Sequence, residues 1–177
     1  MNSIRRYLLD KSLFKHKIHF EDMIVLDAGG TKINRRGTFN PKKIKYKKWI
    51  ILNINPNTNA DIVCDVKNIP IQSNYFDTVL MTELLEYLID PILALKELNR
   101  VLKNNGTLII SVPFVHPLHG DKDLDYYRYT KNSLITLSNE AGFKVEKIQI
   151  MGSTIAVIFD ILRVNLSYNK NYFYKFF

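Results

Sequence analysis

Residues 75–91 read Tyr75-Phe76-Asp77-Thr78-Val79-Leu80-Met81-Thr82-Glu83-Leu84-Leu85-Glu86-Tyr87-Leu88-Ile89-Asp90-Pro91. They continue to Leu102-Lys103-Asn104-Asn105-Gly106-Thr107-Leu108-Ile109-Ile110-Ser111-Val112-Pro113. The pattern predicts a buried strand over 76–81, a loop, an amphipathic helix, a glycine stop and a second buried strand over 107–112. Asp90 is expected to cap the helix, and Pro91 suits its first position, where a missing N–H costs nothing. Leu95, Leu98 and Leu102 recur at helical spacing. Asn104-Asn105-Gly106 is expected to end the helix, with glycine in the left-handed geometry. About fifty residues upstream, Val25-Leu26-Asp27-Ala28-Gly29-Gly30 is an apolar strand running into an acid and two glycines. Strand, glycine turn and crossover are the parts of a nucleotide-type site on a parallel sheet.

Outward from these segments, 3–17 predicts an amphipathic helix with Ile4, Tyr7, Leu8 and Phe14 on one side. Strands are predicted at 23–27, 49–54, 61–64 and 143–150. Thr130 is expected to cap a helix presenting Leu134, Leu137 and Ala141, stopped by Gly142. Residues 31–48 leave little room for a helix, because Gly37, Asn40-Pro41 and the basic run from Lys42 to Lys48 interrupt it. Strands alternating with helices give an α/β class: a doubly wound, mostly parallel Rossmann-like sheet with helices on both faces.

A length of 177 residues fits one domain, with a helix over 1–20, a core over 21–150 and an apolar tail over 151–177. Cys64 is the single cysteine, so no internal disulfide forms and a reducing cytoplasm is the expected location. No signal peptide or bilayer-spanning run is read. The net charge of +8 favours anionic partners, while compositional drift toward Lys, Asn and Ile is the preferred explanation, and the basic run over 42–48 reads first as a solvated lysine surface. The basic run and the apolar tail leave peripheral contact with acidic lipid open. The tail also reads as a dimer contact or as core, so oligomeric state stays open.

In a doubly wound sheet, ligands lie across the carboxyl ends of the strands. The polar residues there are Asp27, Gly29, Gly30, Asn53, Asp65, Thr82 and Glu83, with Val66 beside Asp65. Glycines let a ligand approach the backbone. Asn53 is placed to meet ribose hydroxyls, and Asp65-Val66 to meet an adenine edge. A dinucleotide fingerprint is not met, since Gly29-Gly30-Thr31-Lys32 lacks a third glycine, and no P-loop occurs.

These segments together resemble a class I S-adenosylmethionine-dependent methyltransferase of the small type 11 kind, over roughly 23–150. Val25–Gly29 resembles the first motif, Ala60–Val66 with Ile69-Pro70 the adenine segment, and Phe76–Leu80 with Leu85–Pro91 the fourth strand and its helix. Leu95–Lys103 and Gly106–Leu108 complete the pattern. The resemblance implies S-adenosyl-L-methionine as cofactor. It also implies departures: a shortened glycine turn, Asn53 in place of the ribose acid, Tyr87 in place of a histidine, and no match to the final strand. On that alignment Asn53→Asp is expected to tighten cofactor binding.

Methyl transfer from a sulfonium mainly needs alignment, plus a base for a hydroxyl or ammonium acceptor. Asp125-Tyr126-Tyr127-Arg128-Tyr129-Thr130, preceded by Pro117-Leu118-His119-Gly120, resembles a methyltransferase subgroup signature. His119 is the candidate base. Arg128 is the candidate for an anionic acceptor group or a structural partner of Asp125. His116 and His119 are not read as a metal site, because Pro117 prevents their alignment on a helix. The acceptor expected is a small molecule or glycan precursor. A degenerate binding module is the alternative and RNA methylation the third, disfavoured because no Asn-Pro-Pro-Tyr-type motif follows the fourth strand.

Overall fold

The computed structural model describes residues 3–33, 37–115 and 124–173, with only the backbone described over 165–173. Five strands form one sheet in the order β3-β2-β1-β4-β5. They are β1 (Ile24–Ala28), β2 (Lys48–Asn53), β3 (Ile62–Val63), β4 (Phe76–Thr82) and β5 (Leu102–Ser111). Every pairing is parallel. Four α-helices lie among the described residues: α1 (Ile4–Lys15), α2 (Pro91–Val101), α3 (Lys131–Glu140) and α4 (Thr154–Phe173).

Side-chain alternation along each strand sorts the core into two layers. Leu26, Ile50, Val79 and Met81 face α2, whose Ala94, Leu95 and Leu98 are fully buried, with Leu134 and Leu137 of α3 behind. Val25, Leu80 and Trp49 face the other way, against Leu9 and Leu13 of α1 with Phe20, Phe39 and Ile44. Apolar side chains on both faces explain why the strands read as near-continuous hydrophobic runs. The doubly wound expectation holds.

Local details differ from the sequence reading. Residues 143–150 form no strand, so β5 is the sheet edge. The α1 face that packs inward is Leu9 and Leu13, while Ile4 and Tyr7 are exposed. Asp10 is buried beside them, ion-paired with Arg6 at 3.0 Å and accepting from the Thr38 N–H and hydroxyl. This pairing ties the start of the 37–44 loop to α1. Between β1 and β2 the described residues hold only a 3-10 turn at Pro41–Lys43, and α1 covers the sheet face there.

Asp90 makes no side-chain capping bond, and Pro91 starts α2 without it. The helix ends at Val101, and β5 begins at the next residue. Phe76 pairs with Leu102, but Thr78 pairs with Thr107, so residues 103–106 bulge out of the ladder. Asn105, at φ 63°, takes the left-handed position expected of Gly106. Gly106 serves close packing instead, since a Cβ there would lie 2.8 Å from Leu102 Cδ2. Thr130 does cap α3, accepting from the Ser133 N–H at 3.2 Å.

α4 packs on α1 and leaves Ile155, Ile158, Phe159 and Leu162 exposed. No helix among the described residues is long and apolar enough to cross a membrane.

Candidate functional site

The carboxyl ends of β1, β2 and β4 and the segment after β3 meet in one small pocket. Gly29, Asn53, Asp65, Val66, Leu84 and Leu88 line it, and its cavity is about 60 Å³. That is roughly the room of two waters. A larger cleft of about 290 Å³ lies at the opposite, amino ends of the strands, near His19, Asp77 and Lys103. Parallel sheets bind ligands at the carboxyl ends, so the smaller pocket is the candidate.

Gly29 turns the chain at φ 82°, and its N–H donates to the Leu52 carbonyl at 2.8 Å. A side chain there would be strained, and its Cβ would sit 3.1 Å from Leu84. Gly30 is required for space: a Cβ would lie 2.6 Å from the carboxyl carbon of Asp27. Asp27 is buried, and its carboxylate accepts from the Trp49 indole N–H at 3.2 Å. Register places Asp27 on the α1 side of the sheet, beside Ile51 and Leu80. It supports the turn from beneath.

Asn53 is committed to the same turn. Its Nδ2 donates to the carbonyls of Gly29 at 3.2 Å and Gly30 at 2.8 Å, and its Oδ1 accepts from the Asn55 N–H at 2.9 Å. One acceptor lone pair remains, and no donor does. Asp65 is partly exposed; its Oδ1 accepts from the Lys67 N–H at 2.9 Å, and Lys67 Nζ lies 3.5 Å from Oδ2. Val66 is buried. The apolar walls and Asp65 suit an adenine, and Asn53 retains one bond for a ribose hydroxyl. The residues therefore fit an adenosyl group, with less polar contact at the ribose than a free carboxylate gives.

Thr82 ends β4 opposite Ser111. Glu83 follows at φ 53°, a backbone conformation that side chains take at a cost. Its N–H donates to the Ser111 carbonyl at 2.9 Å, its Oε1 accepts from the Ser111 hydroxyl at 3.1 Å, and Arg5 of α1 pairs with its other oxygen.

Sequence reasoning missed Glu86. It is fully buried, and neither carboxyl oxygen has a hydrogen-bond partner beyond the residue's own backbone N–H. Burial pushes its pKa up to about 7, against a hydrogen bond from its own backbone N–H and the nearby charges of Arg5 and Arg128. Its backbone carbonyl accepts from Tyr126 and Tyr127, and Tyr129 OH donates to Leu85, so the 124–130 loop clamps this turn. The available signal was a glutamate between Leu85 and Tyr87 in an apolar stretch.

Arg128 grips Asp125 through both carboxylate oxygens and donates to the Tyr127 carbonyl. The hydrogen bond to Asp125 raises the Arg128 pKa. The pair braces the loop. His119 and His116 lie outside the described residues. Among the described residues no group of three or more His, Cys, Asp or Glu could hold a metal.

Residues 43–110 match the family model described as a methyltransferase domain. The matched segment begins after β1, so the altered glycine turn falls outside it, and it is narrower than the 23–150 expected. The structure is similar to a Haloferax volcanii complex of the Trm112 methyltransferase activator and a methyltransferase, at 20% identity and TM-score 0.63, over 82% of this chain and 77% of that one. The fold is that of the class I methyltransferases. Two further structures with this methyltransferase fold agree. One is the Burkholderia thailandensis 1,6-didemethyltoxoflavin-N1-methyltransferase, solved with its substrate and S-adenosylhomocysteine: 17% identity, TM-score 0.63, over 83% and 71% of the two chains. The other is a SAM-dependent methyltransferase from Archaeoglobus fulgidus: 15% identity, TM-score 0.61, over 90% and 87%. Comparison with curated proteins gives no match.

Proposed function

We propose that this chain transfers the methyl group of S-adenosyl-L-methionine to a small molecule or glycan-precursor acceptor. The convergence of Gly29, Asn53, Asp65, Val66 and Leu84 on one pocket at the strand ends carries this reading. The bound cofactor supplies an activated methyl group, and the chain's residues hold and align the partners. Val66 and Leu88 would flank the adenine, Asp65 accept from its amino group and Asn53 accept one ribose hydroxyl. Leu84 rotates off Gly29 to admit the group. For a hydroxyl acceptor, His119 is the base in this reading and Arg128 the candidate partner of an anionic group. The Burkholderia neighbour's small-molecule substrate supports the acceptor class.

A second reading keeps the fold as a binding module without cofactor. The commitment of both Asn53 amide hydrogens to Gly29 and Gly30, beside so small a cavity, favours it. Calorimetry of the full chain with S-adenosylmethionine and S-adenosylhomocysteine decides between them. Saturable heat is expected from both ligands. No heat at high micromolar ligand would replace the enzyme reading with the second.

A further inference from the structure

Three carboxylates and two guanidinium groups gather where β4 ends: Arg5 beside Glu83, and Arg163 on Asp160 at 3.0 Å. Glu83 stands at the strand terminus, Glu86 in the following turn and Asp160 on α4. Arg5 pairs with Glu83, lies 3.9 Å from Asp160 and acts electrostatically on Glu86. Burial deepens through the group, with side-chain exposures of 29% at Arg5, 17% at Glu83 and 6% at Asp160, and none at Glu86. Arg5 is therefore the most exposed member of the group and Glu86 the most deeply buried. The Glu86 carboxyl oxygens have no hydrogen-bond partner beyond the residue's own backbone N–H. A buried carboxyl group without other partners is costly, so a site that keeps one has a use for it.

Arg5 does not fill the need well. Burial lowers its pKa even though Asp160 and Glu86 pull the other way. Its Nε has no hydrogen-bond partner. Glu83, the carboxylate it does pair with, is held in a strained backbone conformation.

We propose that this carboxylate cage is the acceptor site for an amine, and that Arg5 occupies the seat taken by the acceptor's ammonium group. The inference rests on the methyl-transfer reading and specifies its substrate class. Glu83 and Asp160 hold the ammonium, and Glu86 takes one of its protons. The freed nitrogen lone pair then forms the C–N bond as the sulfonium C–S bond breaks and its electron pair stays on sulfur. The products are a methylated ammonium, a neutral thioether and a protonated Glu86, which returns its proton to water. For an amine, Glu86 thus fills the role that a hydroxyl acceptor asks of His119. Arg128, Asp125, Tyr87 and Tyr129 also act around this turn, Arg6 acts on Arg5, and Arg163 holds Asp160 from α4 itself. Arg128 is held by Asp125, so it does not compete for the seat.

The test uses n-butylamine and n-butanol as probes on the full chain, by calorimetry at neutral pH. Arg5→Ala is expected to bind butylammonium at least tenfold more tightly than the wild type and to give no heat with butanol. Adding Glu86→Gln should abolish the gain. Equal binding of the two probes, no gain on removing Arg5, or a gain that survives Glu86→Gln each overturns the proposal. If Arg5→Ala does not fold, the wild-type chain carries the same test. Its Glu86 carboxyl carbon resonance should titrate near pH 7, and the midpoint should fall when butylammonium is added. An unmoved midpoint overturns the proposal. None of these readouts involves the cofactor. A chain that passes them without binding S-adenosylmethionine keeps the cation seat and loses the methyl-transfer reading; the reverse pattern keeps methyl transfer and removes the amine.

Discussion

The side-chain amide of Asn53 holds the Gly30 carbonyl at 2.8 Å, and the Gly29 carbonyl at 3.2 Å. One residue from β2 thereby fixes the turn after β1. An aspartate cannot donate, so Asn53→Asp would face a carboxylate with two carbonyl oxygens. The substitution is predicted to destabilise the fold by about 2 kcal/mol, read from the denaturant midpoint. S-adenosylhomocysteine affinity should weaken rather than tighten, reversing the expectation from family alignment alone. An unchanged midpoint would show that the amide does not brace the turn.

Glu86 gives a pH signature of its own. Its folded pKa of about 7 lies above the ordinary 4.5 because burial disfavours the charged form. Between these values the folded state binds more protons than the unfolded state, so stability falls as pH rises through that window. The loss is on the order of 3 kcal/mol when complete. Glu97, whose hydrogen bond from Arg100 holds its pKa down, acts in the opposite sense and only at lower pH. Thermal midpoints measured from pH 5 to pH 8 should fall for the wild type and stay nearly level for Glu86→Gln. Parallel curves for the two chains would contradict the assignment.

The strand positions were legible because buried parallel strands leave a plain mark: short apolar runs with polar residues at their carboxyl ends. Val25–Asp27, Ile50–Asn53 and Phe76–Thr82 all show it. The first helix was legible as a helix but not by its inward face, since Asp10 is buried through pairs with Arg6 and Thr38 that lie 28 positions apart at the farthest. The edge strand over 143–150 failed because alternation of apolar residues does not guarantee a partner. Asn53 lines the pocket, yet its bonds to Gly29 and Gly30 depend on how closely two loops approach. Glu86 stood in an apolar stretch, but for the same reason its partners were not legible. Nothing in the sequence near it tells that Arg5 and Asp160 arrive from opposite ends of the chain.

Gly30 and Asp27 are coupled by contact. Gly30→Ala would drive a methyl group into the Asp27 carboxylate, at 2.6 Å from its carbon. Asp27 would then shift from the Trp49 indole N–H that it accepts at 3.2 Å. Trp49 is the single tryptophan, so tryptophan emission reports the surroundings of this one indole. A change in emission maximum is expected for Gly30→Ala, matched by Asp27→Ala, with a stability loss of about 1–3 kcal/mol for each. Emission unchanged in Gly30→Ala would mean that the turn yields and Asp27 does not.

Leu84 lines the pocket where it meets Gly29. Its Cδ2 lies 3.1 Å from the position a Gly29 Cβ would take, and the cavity beneath is about 60 Å³. An adenosyl group exceeds that volume, and in the methyl-transfer reading Leu84 moves aside as the group seats. Leu84→Ala removes the obstruction in advance, and the binding energy otherwise spent on moving it is retained. S-adenosylhomocysteine should bind several-fold more tightly to the variant by calorimetry. The half-buried leucine also packs on the core, so the same change should cost about 1–2 kcal/mol of folding stability. Tighter binding from a less stable chain separates a gate from a wall: a side chain that only lined the adenine would weaken both.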